Sequence, residues 1–370
     1  MLRDGKIDRV ELVACIATLL ASWIFLPLIS FFVRESYSAA WMGVLIGSLV
    51  VWPLTLLFMN LVRRFPGKGL VEVTLELAGP FFGRLMVLVF AFIFLDQAAS
   101  SGRVFTEGIA SVIMPRTPLS VHLAVFAAAG ALAAYAGIEP IGRLSWLLFP
   151  FFLISLAILL VFNFNHIVSG SLFPLFGYGL KGIATSSVEM AGRFVAILAL
   201  PILYPLLRKQ ATAMKDGFLG LIMSVIVGVL VTVEFVMVFP PGEAQRRLFP
   251  LFELALLVQL GTFFTHIEVV FVFFWFFASA IQLSWGLYIA NYCFCRAFDL
   301  PGFRPVVPIM VVLFYALAFL PGNVIEAITL RVKTLLPFSF GFMAFALVLL
   351  WALYPFRRPK PAVESGVIRK

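Results

Sequence analysis

The chain has 370 residues, 62% of them hydrophobic and 12% charged, with a formal net charge of +9 and a mean hydropathy of +1.08. Soluble domains carry about 25% charged residues, so this composition excludes a water-soluble enzyme or binding module and makes lipid the solvent. The positive balance does not point to nucleic acid, because the basic residues stand mostly at the ends of apolar runs, as membrane topology requires.

A hydrocarbon core about 30 Å thick needs about 20 apolar residues per helix. Arg3, Lys6 and Arg9 precede the first run, and no small-residue cleavage pattern follows, so it reads as a retained span rather than a signal peptide. Apolar windows predict helices near 10–33, 40–62, 81–113, 119–138, 141–163, 184–207, 214–239, 265–295, 304–322 and 334–356. The expected fold class is therefore an all-α polytopic membrane protein of about ten transmembrane helices. The chain reads as one transmembrane domain over 1–370, with a first repeat over about 10–163, a second over about 184–356 and a short tail at 357–370. Cys15, Cys293 and Cys295 lie inside apolar segments, which favours buried packing over a disulfide or a metal site.

Orientation follows from the cations. With the N-terminus cytoplasmic, the inner side holds Arg3, Lys6, Arg9, Arg63, Arg64, Lys68, Arg84, Arg143, Arg208, Lys209, Lys215, Arg296, Arg304 and the basic tail. The outer side holds only Arg34, Arg116, Lys181, Arg246, Arg247, Arg331 and Lys333, which places both termini inside.

An internal repeat organises the spans. RRFPGKGLVEVTLELAG at 63–79, between spans two and three, is echoed by RRLFPLFELALLVQLG at 246–261, between spans seven and eight. Pro27 of span one is echoed by Pro201 of span six. Five spans is an odd number, so the second half is inverted relative to the first. Inverted repeats with interrupted first helices suit a ligand site near the membrane midplane, where broken helix ends offer free N–H and C=O groups. A proline kink with only a packing role is the competing reading of either proline alone.

Charged residues within the spans carry the remaining signal. Asp96, Ser100, Arg103, Glu107 and Ser111 fall within a stripe roughly 80° wide on span three, which should face the bundle interior. Arg103 and Glu107 are spaced to pair, as a structural lock or with a ligand- or proton-linked role. Span six offers Ser186, Ser187, Glu189, Gly192 and Arg193; Glu189 is spaced to pair with Arg193, and Gly192 admits either a ligand or a neighbouring helix. Glu234, and Glu268 with His266 nearby, are expected to be interfacial or locally paired. No phosphate-binding loop, zinc-binding H-E-x-x-H or G-x-S-x-G elbow occurs. Neither catalysis, a cofactor nor a metal is expected.

Several segments carry a family resemblance: TLLASWIFLP at 18–27, RRFPGKGLVEV at 63–73, SGRVFTEGI at 101–109, MPRTPL at 114–119, GIEPIGRLSWLLFP at 137–150 and LRKQATAMKDGFLG at 207–220. In order and spacing they resemble the GerAB-type spore-germination permeases of the amino acid–polyamine–organocation transporter superfamily. The resemblance implies a LeuT-like inverted five-helix repeat, the spore inner membrane, a small germinant such as an amino acid, and partner A and C receptor subunits. Two departures stand out: Leu20-Ala21-Ser22 lacks the family's glycine near the first break, and Gly192 is followed by Arg193 rather than an acid.

The expected ligand is zwitterionic and sits between 20–23, with Ala21, Ser22 and Trp23, and 187–193, with Ser187, Glu189 and Gly192, beside Ser100 and Arg103. Asp96, Arg103, Glu107 and Arg193 are expected to form an interior charge network. A germinant-receptor membrane subunit is the favoured function. A proton-coupled amino-acid permease is the alternative, and a scaffold with a vestigial cavity is a third reading.

Overall fold

The computed structural model describes residues 5–258 and 268–357. Among the described residues the secondary structure is helical, apart from one isolated bridge between Ile7 and Leu207. The helices are α1 (Arg9–Ala21), α2 (Leu28–Ser36), α3 (Ala40–Val62), α4 (Leu70–Val112), α5 (Leu119–Ala136), α6 (Ile138–Phe162), α7 (Leu180–Phe194), α8 (Ala199–Ile202), α9 (Ala213–Val238), α10 (Pro241–Ala244), α11 (Pro250–Leu257), α12 (Glu268–Ala297), α13 (Val307–Phe319), α14 (Val324–Leu330) and α15 (Leu336–Leu353). With α1/α2, α7/α8 and α14/α15 each taken as one interrupted span, these make ten spans, joined by the short helices α10 and α11.

The interruptions of spans one and six have local causes. α1 tightens into a 3₁₀ turn at Ser22–Phe25, and Leu26 is extended (φ −96°, ψ 162°), the conformation a residue before proline prefers. Pro27 then starts α2 with no N–H to offer the preceding turn. In span six a matching 3₁₀ turn at Val195–Leu198 precedes α8, which contains Pro201. The first break therefore lies at 22–25 and not 20–23, and 187–193 is regular helix, with its break two residues further on. A proline acts on the turn before it, so each break sits just ahead of its proline.

The linkers echo each other too. α4 begins with a short helix that bends at Gly79 (φ 82°), a backbone conformation glycine adopts without cost, before Pro80 opens the third span. Its counterpart after span seven is α11. Gly261 and His266 lie outside the described residues, as does the side chain of Glu268.

Span ten departs from expectation. It begins at Val324, not near 334, so Arg331 and Lys333, assigned to an outer loop, lie within it. Residues Arg331–Leu335 form a π-helical turn. Pro337 has no N–H to complete the α-ladder at this point, and a widened turn follows.

Contacts sort the charges into two faces. Ile7 N–H donates to Leu206 O at 3.1 Å, joining the start of span one to the end of span six. On that face Arg9 pairs with Asp216 at 2.9 Å, Arg296 with Glu72 at 3.1 Å, and Arg64 stacks over Trp351 at 4.9 Å. On the other, Arg34 donates to Gln245 O at 2.6 Å and Arg247 to Glu253 at 2.5 Å.

Candidate functional site

The two breaks meet around a guanidinium. Arg193, one residue before the end of α7, is fully buried. Its Nη2 donates to Leu19 O at 3.2 Å and to Ser22 Oγ at 3.0 Å, and its Nη1 donates to Gln97 Oε1 of α4 at 2.5 Å. Ser22 in turn donates to Leu19 O at 3.1 Å. A 3₁₀ turn frees carbonyls that a regular helix would occupy, and Arg193 takes one of them. Ala21 and Trp23 are also buried here, with the Trp23 ring 5.9 Å from that of Phe32 and its Nε1 without a partner among the described residues.

A second buried cation adjoins the first. Arg331, 2% exposed in the π-turn, donates from Nη1 to Gln97 O and Ser101 Oγ, each at 3.4 Å. Gln282 of α12 donates to the same Ser101 hydroxyl at 2.9 Å. Nearer the face that carries Arg34 and Arg247, Lys333 pairs with Glu189 at 3.2 Å and with Glu35 at the end of α2, so one ammonium ties spans one, six and ten together.

Several expectations change accordingly. Arg103 is not beside the breaks: it pairs with Glu107 at 3.0 Å and donates to Ala318 O at 3.2 Å and Pro321 O at 3.4 Å, toward the C-terminal end of α4. Glu189 does not pair with Arg193, because Lys333 reaches it and Arg193 points instead to the break. The interior network of Asp96, Arg103, Glu107 and Arg193 is thus split in two: Arg103 and Glu107 pair apart, while Asp96, which accepts from Ser100 at 3.1 Å, acts electrostatically on Arg331, which shares Gln97 with Arg193. Ser187 donates to Ile183 O at 2.6 Å within its own helix. A Cβ on Gly192 would collide with the backbone of Leu336, so this glycine lets α7 pack against span ten rather than opening room for a ligand. Glu234 is not paired among the described residues: it is buried about one turn from the end of α9, and both its oxygens lack a partner there.

Sequence reasoning missed Gln97, Ser101, Arg331 and Lys333. A signal existed, since polar and charged side chains inside a span are functional candidates by default, and Gln97 and Ser101 are spaced i,i+4 beside the stripe already singled out.

The family described as "Spore germination protein" matches residues 7–327. The putative spore germination protein YfkT of Bacillus subtilis (strain 168) is 24% identical over 262 residues, covering 70% of this chain and 71% of that protein. Among solved structures, the nucleobase-cation-symport-1 transporter Mhp1, closed with bromovinylhydantoin bound, superposes with a TM-score of 0.72 at 14% identity, over 96% of this chain and 80% of its own. MhsT in complex with L-phenylalanine superposes with a TM-score of 0.63 at 13% identity, over 95% and 99%. The likeness to the two transporters is one of fold, that of the LeuT-like transporters, while the family match spans most of the sequence. The chain belongs to the spore germination protein family.

Proposed function

We propose that this chain is the ligand-sensing membrane subunit of a spore germinant receptor, taking a small molecule where the breaks at Ser22–Phe25 and Val195–Leu198 meet. The observation that carries the reading is Arg193, a fully buried cation on one broken helix that binds the other. A buried charge with only neutral acceptors is costly in a membrane, which supports a functional rather than a packing role. Solved proteins of this fold hold bromovinylhydantoin and L-phenylalanine, which supports a small ligand such as an amino acid. The matched breaks and linker helices support a five-span repeat over about 10–163 and 184–356. The charge asymmetry supports both termini in the cytoplasm, and the family supports the spore inner membrane and A and C subunits as partners.

The test is a germination assay. Spores whose receptor carries Arg193→Gln, at normal membrane levels, should lose the response to the germinant that wild-type spores detect. A wild-type response would overturn the reading. Glu234 favours one further reading, because a buried carboxylate without a partner among the described residues, inside a transporter fold, is a candidate proton carrier. Uptake by the chain alone in vesicles, abolished by an uncoupler and by Glu234→Gln, would establish a proton-coupled permease.

A further inference from the structure

We infer that the ligand at the two breaks carries a net negative charge, and that Arg331 of span ten is the second arm of a two-arginine clamp for its anionic group. The inference rests on the function proposed above. Gln97 joins the two arginines: its side-chain oxygen accepts from Arg193 and its main-chain carbonyl from Arg331.

Charge around Gln97 does not balance. Arg193 and Arg331 are both buried and both donate to Gln97, so two like charges face one residue in a low-dielectric interior. Asp96 acts on Arg331, but no carboxylate pairs with Arg193 among the described residues. Glu189 is already bound to Lys333.

Hydrogen bonding is unbalanced in the same direction. Arg193 Nε, Arg331 Nε and Nη2, and Gln97 Nε2 are buried donors without an acceptor among the described residues. The orphan oxygens nearest in the chain to these groups are the Thr18 hydroxyl, which can also donate, and Glu189 Oε2, whose carboxylate Lys333 neutralises.

A bound anion satisfies both deficits. Its oxygens take the orphan N–H groups, and its charge relieves the repulsion between the guanidiniums, whose planar forks match a carboxylate. A neutral ligand leaves the surplus charge in place, and a zwitterion brings a further cation beside it. The π-turn at Arg331–Leu335 holds the second arm, so capture of the anion engages span ten together with spans three and six.

The experiment uses matched ligands of near-identical shape on the purified full-length chain in detergent, followed by thermal stabilisation at constant ionic strength. One trio is L-lactate, L-alanine and L-lactamide; a larger trio is 3-phenyllactate, L-phenylalanine and 3-phenyllactamide. In at least one trio the anion should stabilise the wild type at concentrations about tenfold or more below its zwitterionic and neutral partners. Arg331→Gln should erase that preference, and Arg331→Lys should restore part of it. Equal or better stabilisation by alanine or phenylalanine overturns the inference; if that stabilisation is lost in Arg193→Gln, the receptor reading survives. Silence toward both anions, or an anion preference unchanged in Arg331→Gln, also overturns it. If Arg331→Gln does not fold, the ranking within the wild-type trios decides.

Discussion

Arg193 of the sixth span donates to the Ser22 hydroxyl of the first at 3.0 Å, so a charge on one broken helix holds the break of the other. The same guanidinium reaches Gln97, which makes spans one, three and six a single hydrogen-bonded unit. Shape at the breaks therefore depends on partners as well as on prolines.

Ser22→Ala removes a neutral acceptor from a buried cation but leaves Leu19 O in place. A hydrogen bond to a charged group is worth about 1.5–3 kcal/mol. Thermal unfolding of the detergent-purified variant should show a loss in that range, and Ser22→Cys should fall between it and wild type. An unchanged melting temperature would mean that Arg193 does not depend on Ser22.

Gly192→Ala should destabilise by about 1–3 kcal/mol, the usual cost of overpacking, because its new methyl group meets the Leu336 backbone. Gly192→Leu should do more, through separation of spans six and ten rather than by filling a cavity. A cysteine pair across this contact that cross-links in wild type but not in Gly192→Leu would report the separation.

Lys333→Met should be the most harmful single change in the triad of Lys333, Glu189 and Glu35, since it strands Glu189, 3% exposed, without a counter-charge. The stranded carboxylate sets an upper limit of about 3–5 kcal/mol, which the 43% exposure of Lys333 reduces. Adding Glu189→Gln should recover much of the loss, and Glu35→Gln alone should cost about 1 kcal/mol or less because that pair is solvated. A double-mutant cycle on stability measures all three.

Cysteines placed at 63–68 and at 246–247 should label from opposite sides of the membrane. Arg64 stacks on Trp351 and Tyr354 at the end of span ten, on the face where spans one and six join. Arg247 pairs with Glu243 and Glu253 in the linker after span seven. Labelling of both positions from one side would contradict the ten-span count.

By itself the sequence determined the solvent, the number of spans and the neighbourhood of both breaks, because these rest on local causes: hydropathy over about 20 residues and prolines that cannot donate to the turn before them. It also marked Ser22, Trp23 and Arg193 as residues to watch. Tertiary structure alone decided which charges meet. Glu189 and Arg193 are spaced to pair, yet Glu189 binds Lys333 and Arg193 binds Ser22 and Gln97. Arg103 has the right chemistry for the site but lies against Ala318 and Pro321, while Arg331, which reads as loop punctuation, is buried beside Gln97. The physical reason is that helical spacing is worth only about 0.2–0.5 kcal/mol per pair, far less than leaving a charge unsatisfied inside the bundle, so each charge goes to the partner that packing of the spans brings within reach.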